Sequence, residues 1–182
     1  MRADARRNRE RILAAARELF AGAPTEVQMD DLARRAGVGV GTVYRHFPDK
    51  EALMGELVRE RFELFNARLR IAVADTSSDP AEALIEALRA NAAGVAEDAA
   101  TRFAFMSGGE GVFRHAETEA MEFLGLCEAL VRRARRSGGL APGFRADDIP
   151  MLMCGVCATA DIHKPDWDWR RHLELVIRGM RG

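Results

Sequence analysis

The run Asp30–Lys50, DDLARRAGVGVGTVYRHFPDK, constrains this chain more than any other stretch. A small residue, a glycine and a β-branched apolar residue stand at Ala33, Gly37 and Val43. A small side chain inside one short helix allows a close crossing. A glycine at the turn takes a backbone conformation costly to other residues. An apolar anchor in a second short helix then locks the pair, which is the spacing of a helix-turn-helix. The same reading turns Val38 inward and has Phe47 close the small core against Leu19 and Phe20. Leu32 and Ala33 are core as well.

That arrangement leaves Val40, Gly41, Thr42, Tyr44, Arg45 and His46 on the open face of the second helix. A helix presented this way fits the major groove of DNA. Thr42 offers a hydroxyl to phosphate or a methyl to thymine. Tyr44 has reach and a hydroxyl, and also suits packing on the next helix. Arg45 meets guanine or phosphate, and His46 meets phosphate. Lys50 falls in the first turn of the following helix, where its charge joins exposed backbone N–H groups at a flanking phosphate.

Helical periodicity fills the rest of the chain, and no long run alternates as a strand would. Residues 8–21 place Ile12, Ala16, Leu19 and Phe20 on one face. Short helices over 30–36 and 40–47 precede a long one over 49–72, capped by Asp49 and striped by Leu53, Leu57, Phe62, Phe65 and Leu69. Asp79, Pro80 and Glu82 mark the next start as N-cap, first helical position and capping-box partner. Further helices are expected over 98–106, 116–137, 148–161 and 167–180, with SGGEG at 107–111 as a loop. The prediction is an all-α chain of about nine helices. A helix-turn-helix domain occupies 1–48 and a larger helical domain 49–182, with no flexible linker between them.

Composition excludes more than it selects. The net charge is −1, yet residues 1–50 hold ten Arg or Lys against seven Asp or Glu. A locally basic end on a neutral body fits a directed nucleic-acid surface. Arg2, Arg6, Arg7 and Arg9 read as a solvated end, with a minor-groove arm as the alternative. Arg132, Arg133, Arg135 and Arg136 read as solvating a helix C-terminus. No stretch reaches the length of a membrane span and the charged N-terminus does not resemble a signal peptide, so a cytoplasmic protein is expected. Nucleophile, phosphate-loop and zinc-protease motifs are absent from the sequence, and the four histidines at 46, 115, 163 and 172 form no cluster. Neither an enzyme nor a cofactor or metal is expected. Cys127, Cys154 and Cys157 read as buried small hydrophobes, with redox or metal sensing by the Cys154/Cys157 pair as the alternative.

MDDLARRAGVGVGTVYRHFPDKEAL, with RILAAARELFA before it, closely resembles the DNA-binding domain of the TetR family of bacterial transcriptional regulators. The resemblance covers about residues 8–55. It implies a homodimeric regulator whose first three helices bind half of an inverted-repeat operator in double-stranded DNA. It places Thr42, Tyr44, His46 and Lys50 on the DNA backbone and Val40, Gly41 and Arg45 near base edges. It assigns dimerisation to the last two helices and binding of a small-molecule effector to the helical body. Two positions depart from the pattern. Gly39 stands where the family often has Ser or Thr, and Gln28 where it often has Thr. Gln28 is therefore a candidate phosphate contact.

Phe103, Phe105, Met106, Phe113, His115, Met121 and Phe123 gather around the SGGEG loop in sequence, and Trp167 comes later. Such residues are ordinarily core. An aromatic and Met-rich set between helices also suits an adaptable apolar pocket, so these eight are the candidate ligand residues. The expected function is a repressor released by an apolar or aromatic effector, with an activator or a redox- or metal-responsive regulator as the alternative. Apolar spacing makes Met153, Val156 and Ala160, with Leu173, Val176, Ile177 and Met180, the expected dimer seam.

Overall fold

The structure, a computed structural model, describes residues 2–22, 24–162 and 167–181. His163 and the side chain of Arg2 lie outside the described residues. Among the described residues the chain forms ten helices. In order they are α1 (Arg2–Gly22), α2 (Met29–Ala36), α3 (Val40–His46), α4 (Lys50–Ala74), α5 (Pro80–Glu97), α6 (Ala99–Ser107), α7 (Glu110–Arg114), α8 (Glu117–Arg136), α9 (Asp148–Asp161) and α10 (Trp169–Arg181).

Two differences from the sequence reading have local causes. Helix α7 lies partly inside the expected SGGEG loop; at five residues it is too short to show a period, and Gly108 and Gly109 before it read as breakers. Helix α1 begins at Arg2 rather than residue 8. Its first turns carry an Arg7–Asp4 pair at i,i+3 and an Arg6–Glu10 pair at i,i+4, which support helix on an otherwise polar segment. Arg6, Arg7 and Arg9 thus sit on a helix.

The N-caps expected at Asp49 and Asp79 are present, whereas Glu82, the expected capping-box partner, bonds Arg181 instead. The Asp49 carboxylate accepts from Ala52 N–H at 2.7 Å. Asp79 accepts from Ala81 and Glu82 N–H at 2.8 and 2.9 Å, with Pro80 as the first helical residue of α5. Asp98 caps α6 through Thr101 N–H at 3.0 Å.

The chain divides into two compact units. One comprises the chain up to Glu60 together with Asp98–Ala116; the other comprises Arg61–Glu97 together with the chain from Glu117 on. In the first, Ile12, Ala16, Phe20, Leu32, Val43, Leu53 and Leu57 are buried to 1% exposure or less. Phe103 of α6 lays its ring 5.8 Å from that of Phe20. Gly55 of α4 admits α7 so closely that an added Cβ would stand 2.9 Å from the Val112 carbonyl oxygen. Arg9 and Arg17 of α1 pair with Glu56 and Glu60 of α4.

In the second unit, Leu69, Leu84, Ile85, Cys127, Leu130, Ile149 and Val156 form the buried centre. Arg89 of α5 clasps Glu174 of α10 through two bonds of 2.9 and 3.0 Å. Arg133 donates to the Val73 and Asp75 carbonyls, both at 2.9 Å. It therefore closes the C-terminal end of α4 rather than merely solvating its own helix. The Thr159 hydroxyl donates to the Gly155 carbonyl at 2.8 Å and lies 2.7 Å from His172 Nδ1, joining α9 to α10.

Two sequence expectations are corrected here. Val156, Leu173, Ile177 and Met180 are buried within one chain, and Val156, Leu173 and Met180 line a seam with Leu88, Ile149, Met153 and Val176. Apolar spacing marks a face that is covered without telling whether the same chain or a copy covers it. Cys154 is exposed, not buried; Cys127 and Cys157 are buried as read. No helix among the described residues is long and apolar enough to cross a membrane.

Candidate nucleic-acid interface

The turn between α2 and α3 is built around Gly37, which adopts φ 63° and ψ 42°, the left-handed region that glycine enters freely. Val38 N–H reaches back to the Ala33 carbonyl at 3.0 Å and Gly37 N–H to the Arg34 carbonyl at 3.3 Å, closing the C-terminus of α2. Arg11 of α1 donates to the Gly37 carbonyl at 3.0 Å and so ties the turn to the first helix. At the other end of α2, Asp31 accepts from Gln28 N–H at 3.1 Å. The Gln28 side chain bonds the Glu26 carbonyl at 3.3 Å and remains exposed.

Helix α3 has one buried side chain, Val43, at 0% exposure. Phe47 after it is also buried, under the Arg9 guanidinium 5.3 Å from its ring centroid. The other face is open. Val40 is 39% and Tyr44 48% exposed. Gly41 and Arg45 are exposed, and Thr42 and His46 are half-buried. The helix thus turns Val40, Gly41, Tyr44 and Arg45 outward, a poor use of Val40 and Tyr44 unless a partner covers them. Gly39, the N-cap of α3, supplies no side-chain cap, so Thr42 N–H is met by the Gly39 carbonyl alone, at 2.8 Å.

The cations sort into two kinds. Arg7, Arg9, Arg17, Arg34 and Arg35 are paired with carboxylates. Arg11, Arg45 and Lys50, among the described residues, are held by neutral oxygens. Arg45 donates to the Gly41 carbonyl at 3.0 Å and the Thr42 hydroxyl at 3.1 Å. Lys50 donates to the Pro24 and Val27 carbonyls at 2.9 and 3.3 Å and lies over the rings of Phe20 and Phe103. Burial lowers its pKa. Its positive charge is thus uncancelled but turned toward the segment before α2, where it fixes the start of α4. Glu56 nearby experiences opposing effects. Desolvation pushes its carboxyl up, but hydrogen bonds from Arg59 and Arg9 outweigh this and leave it below the ordinary carboxylate value.

The open recognition helix, the left-handed glycine turn and the neutral-held cations at their edge describe a DNA-reading head. Residues 12–57 match the family described as bacterial regulatory proteins, tetR family, and residues 79–182 match the C-terminal domain of SbtR-like transcriptional regulators. The chain belongs to the tetR family.

As a tetR-family protein it is a DNA-binding transcriptional regulator and not an enzyme. It is similar to a TetR transcription regulatory protein from Mycobacterium vanbaalenii, with 30% identity, a TM-score of 0.62, and 100% of this chain and 99% of that one covered. It is also similar to NalD, the secondary repressor of the MexAB-OprM multidrug efflux pump in Pseudomonas aeruginosa, at 26% identity and a TM-score of 0.65, covering 98% of each chain. An HTH-type transcriptional regulator of Staphylococcus aureus is 39% identical over 66 residues. That match spans 36% of this regulator and only 36% of the relative's length.

The regulator's candidate ligand residues fall into both units. Phe103, Phe105, Met106, Phe113 and His115 belong to the first, where the Phe105 and Phe113 rings meet at a tilt with centroids 5.9 Å apart and Met106 is exposed. Met121, Phe123 and Trp167 belong to the second. Met121 and Trp167 are exposed there, and Phe123 is buried between Phe62 and Phe65. Closeness in sequence around one loop thus does not gather these eight within one unit. Sequence reasoning also passed over Arg11. Its only signal was the position of a long donor directly before the core residues Ile12 and Leu13 of α1.

Proposed function

We propose that this regulator is a homodimeric repressor that reads an inverted-repeat operator through α3 and is released by a small apolar or aromatic effector. The observation that carries the DNA-binding part is the open face of α3, flanked by cations that no carboxylate cancels among the described residues. In this reading Val40, Gly41 and Arg45 lie toward base edges, Thr42, Tyr44 and His46 toward phosphates, and Gln28 and Lys50 at the flank. The likeness to NalD, itself a repressor, supports repression over activation. A two-fold dimer matches a palindromic site because both share one symmetry. Dimerisation through α9 and α10 uses their outward faces, where Met151, Cys154 and Leu175 are exposed. A metal-responsive reading has no group of three ligating side chains to rest on among the described residues.

The test is selection of the purified protein on a random duplex library at fixed salt, followed by sequencing of the bound DNA. An enriched inverted repeat supports the reading, and failure of a folded sample to enrich any sequence overturns it. The position of the recovered site then separates the modes, since a repressor's site overlaps the promoter core and an activator's lies upstream.

A further inference from the structure

Arg45 of α3 is exposed, yet its guanidinium does not swing free. Its Nε–H donates to the Gly41 carbonyl at 3.0 Å, and Nη2 donates to the Thr42 hydroxyl oxygen at 3.1 Å. These two donors form one side edge of the planar group, and both acceptors belong to the preceding turn of the same helix. The edge at the tip, with one N–H from each Nη, takes part in neither bond. Both acceptors are neutral, so the positive charge is not cancelled where it is held. A long exposed side chain ordinarily loses rotamer freedom when it binds. Arg45, gripped along its side edge, has already lost much of it in the free protein.

A rigid pair of parallel donors matches one base better than the others. In the major groove guanine shows two acceptors side by side, O6 and N7. Adenine shows an acceptor beside a donor, thymine a single acceptor beside a methyl, and cytosine a donor. The neighbours on α3 offer no competing hydrogen bond to a base. Val43 is buried, Val40 is apolar, and Gly41 has no side chain. Of the three positions turned toward base edges in the reading above, Arg45 alone can hydrogen-bond through its side chain. Thr42 has two tasks open to one oxygen. It accepts from Arg45 and keeps its own O–H for a phosphate. Replacing that hydroxyl by a methyl removes the acceptor and releases the guanidinium to other orientations.

We infer that Arg45 reads a guanine in each half of the operator through the donor pair at its tip, and that Thr42 is the positioning residue that holds the guanidinium for it. This rests on the placement of α3 in the major groove proposed above, and it adds the base which that placement must meet. It excludes Arg45 as a phosphate clamp, since a phosphate contact carries no base preference.

The test compares the parent with Arg45→Ala, Thr42→Val and Thr42→Ser on the random duplex library, followed by binding isotherms on operators that differ at a single base pair. The parent is expected to enrich an invariant guanine in each half-site and to bind it about tenfold to a hundredfold tighter than adenine at the same position. Arg45→Ala should bring that preference to within twofold while the other positions of the repeat persist. Thr42→Val should cut the preference at least threefold and Thr42→Ser should retain it, a pattern that a merely structural role for Thr42 does not produce. Circular dichroism checks folding, and a Thr42→Val variant that does not fold is replaced by Thr42→Ala with the same expectation. If Arg45→Ala weakens every sequence alike and lowers the salt slope by about 0.9, the share of one phosphate, the inference is overturned and the operator reading stands. A Thr42→Val variant with the parent's full guanine preference overturns the positioning role. A parent that enriches no repeat overturns the operator reading and this inference together.

Discussion

Gly41→Ala separates what α3 does for the fold from what it does for DNA. Gly41 is the second residue of the helix, exposed, and an added Cβ there meets nothing within 4 Å. Within the protein the methyl therefore acts only on the backbone. Glycine costs about 0.8–1.0 kcal/mol relative to alanine in a helix interior, and roughly half of that applies in a first turn. The variant should be stabilised by about 0.5 kcal/mol, or ~1–2 °C in melting temperature for a chain of this size. On DNA the sign reverses. If the backbone at Gly41 is pressed against the duplex, a methyl has no room, and affinity should fall about tenfold or more, some 1.4 kcal/mol. Thermal or urea unfolding gives the first quantity. Anisotropy titration on the selected operator at fixed salt gives the second. Tighter or unchanged operator binding in a stabilised variant would refute the placement of this face on DNA. A destabilised variant would refute the reading of Gly41 as unencumbered.

Gly37→Ala should destabilise by about 1–2 kcal/mol, because the left-handed backbone is costly to alanine and the new Cβ would stand 2.7 Å from the Arg11 guanidinium; urea denaturation measures it. Gly39→Ser should add a few tenths of a kcal/mol, since the backbone there is extended at φ −68° and ψ 143° and suits a capping hydroxyl, and should tighten operator binding severalfold in the same anisotropy assay. Glu56→Gln should cost about 1.5–3 kcal/mol at pH 7 by weakening charged hydrogen bonds to Arg9 and Arg59. The folded carboxyl sits below its ordinary value of 4.5, so the parent's advantage is complete above that pH, begins to shrink below it and is lost as pH falls through the lowered folded value; the stabilities of parent and variant should draw together as pH falls below 4.5. Cys127, whose thiol burial pushes up to about 12, should resist a disulfide reagent that labels exposed Cys154 first, as peptide mapping of briefly treated protein will show.

The helix-turn-helix was legible because its signals are local. Ala33, Gly37 and Val43 sit within one short run, and the positive φ of Gly37 is what such a turn requires. Asp49 and Asp79 cap helices within three residues of themselves, so the sequence carries both partners of each bond. The body was legible as helices but less so as a site. Phe103 and Phe123 are near in sequence but belong to different units, because the chain changes unit after Ala116. Periodicity names the inward face of a helix and is silent on which helix it meets.

The first unit takes in the chain twice, and this limits how it can be handled. Residues 98–116 return to α1 and α4 after Arg61–Glu97 have gone elsewhere. Phe103 covers Phe20, and α7 fills the notch at Gly55. A fragment stopped at Glu60 would keep every residue proposed to touch DNA and still expose one side of Phe20, the ring side of Lys50 and the Gly55 groove to water. Grafting a relative's head onto this body would mismatch the same surfaces. The separable piece is therefore not the first 60 residues but a head whose last two helices are borrowed from the middle of the chain.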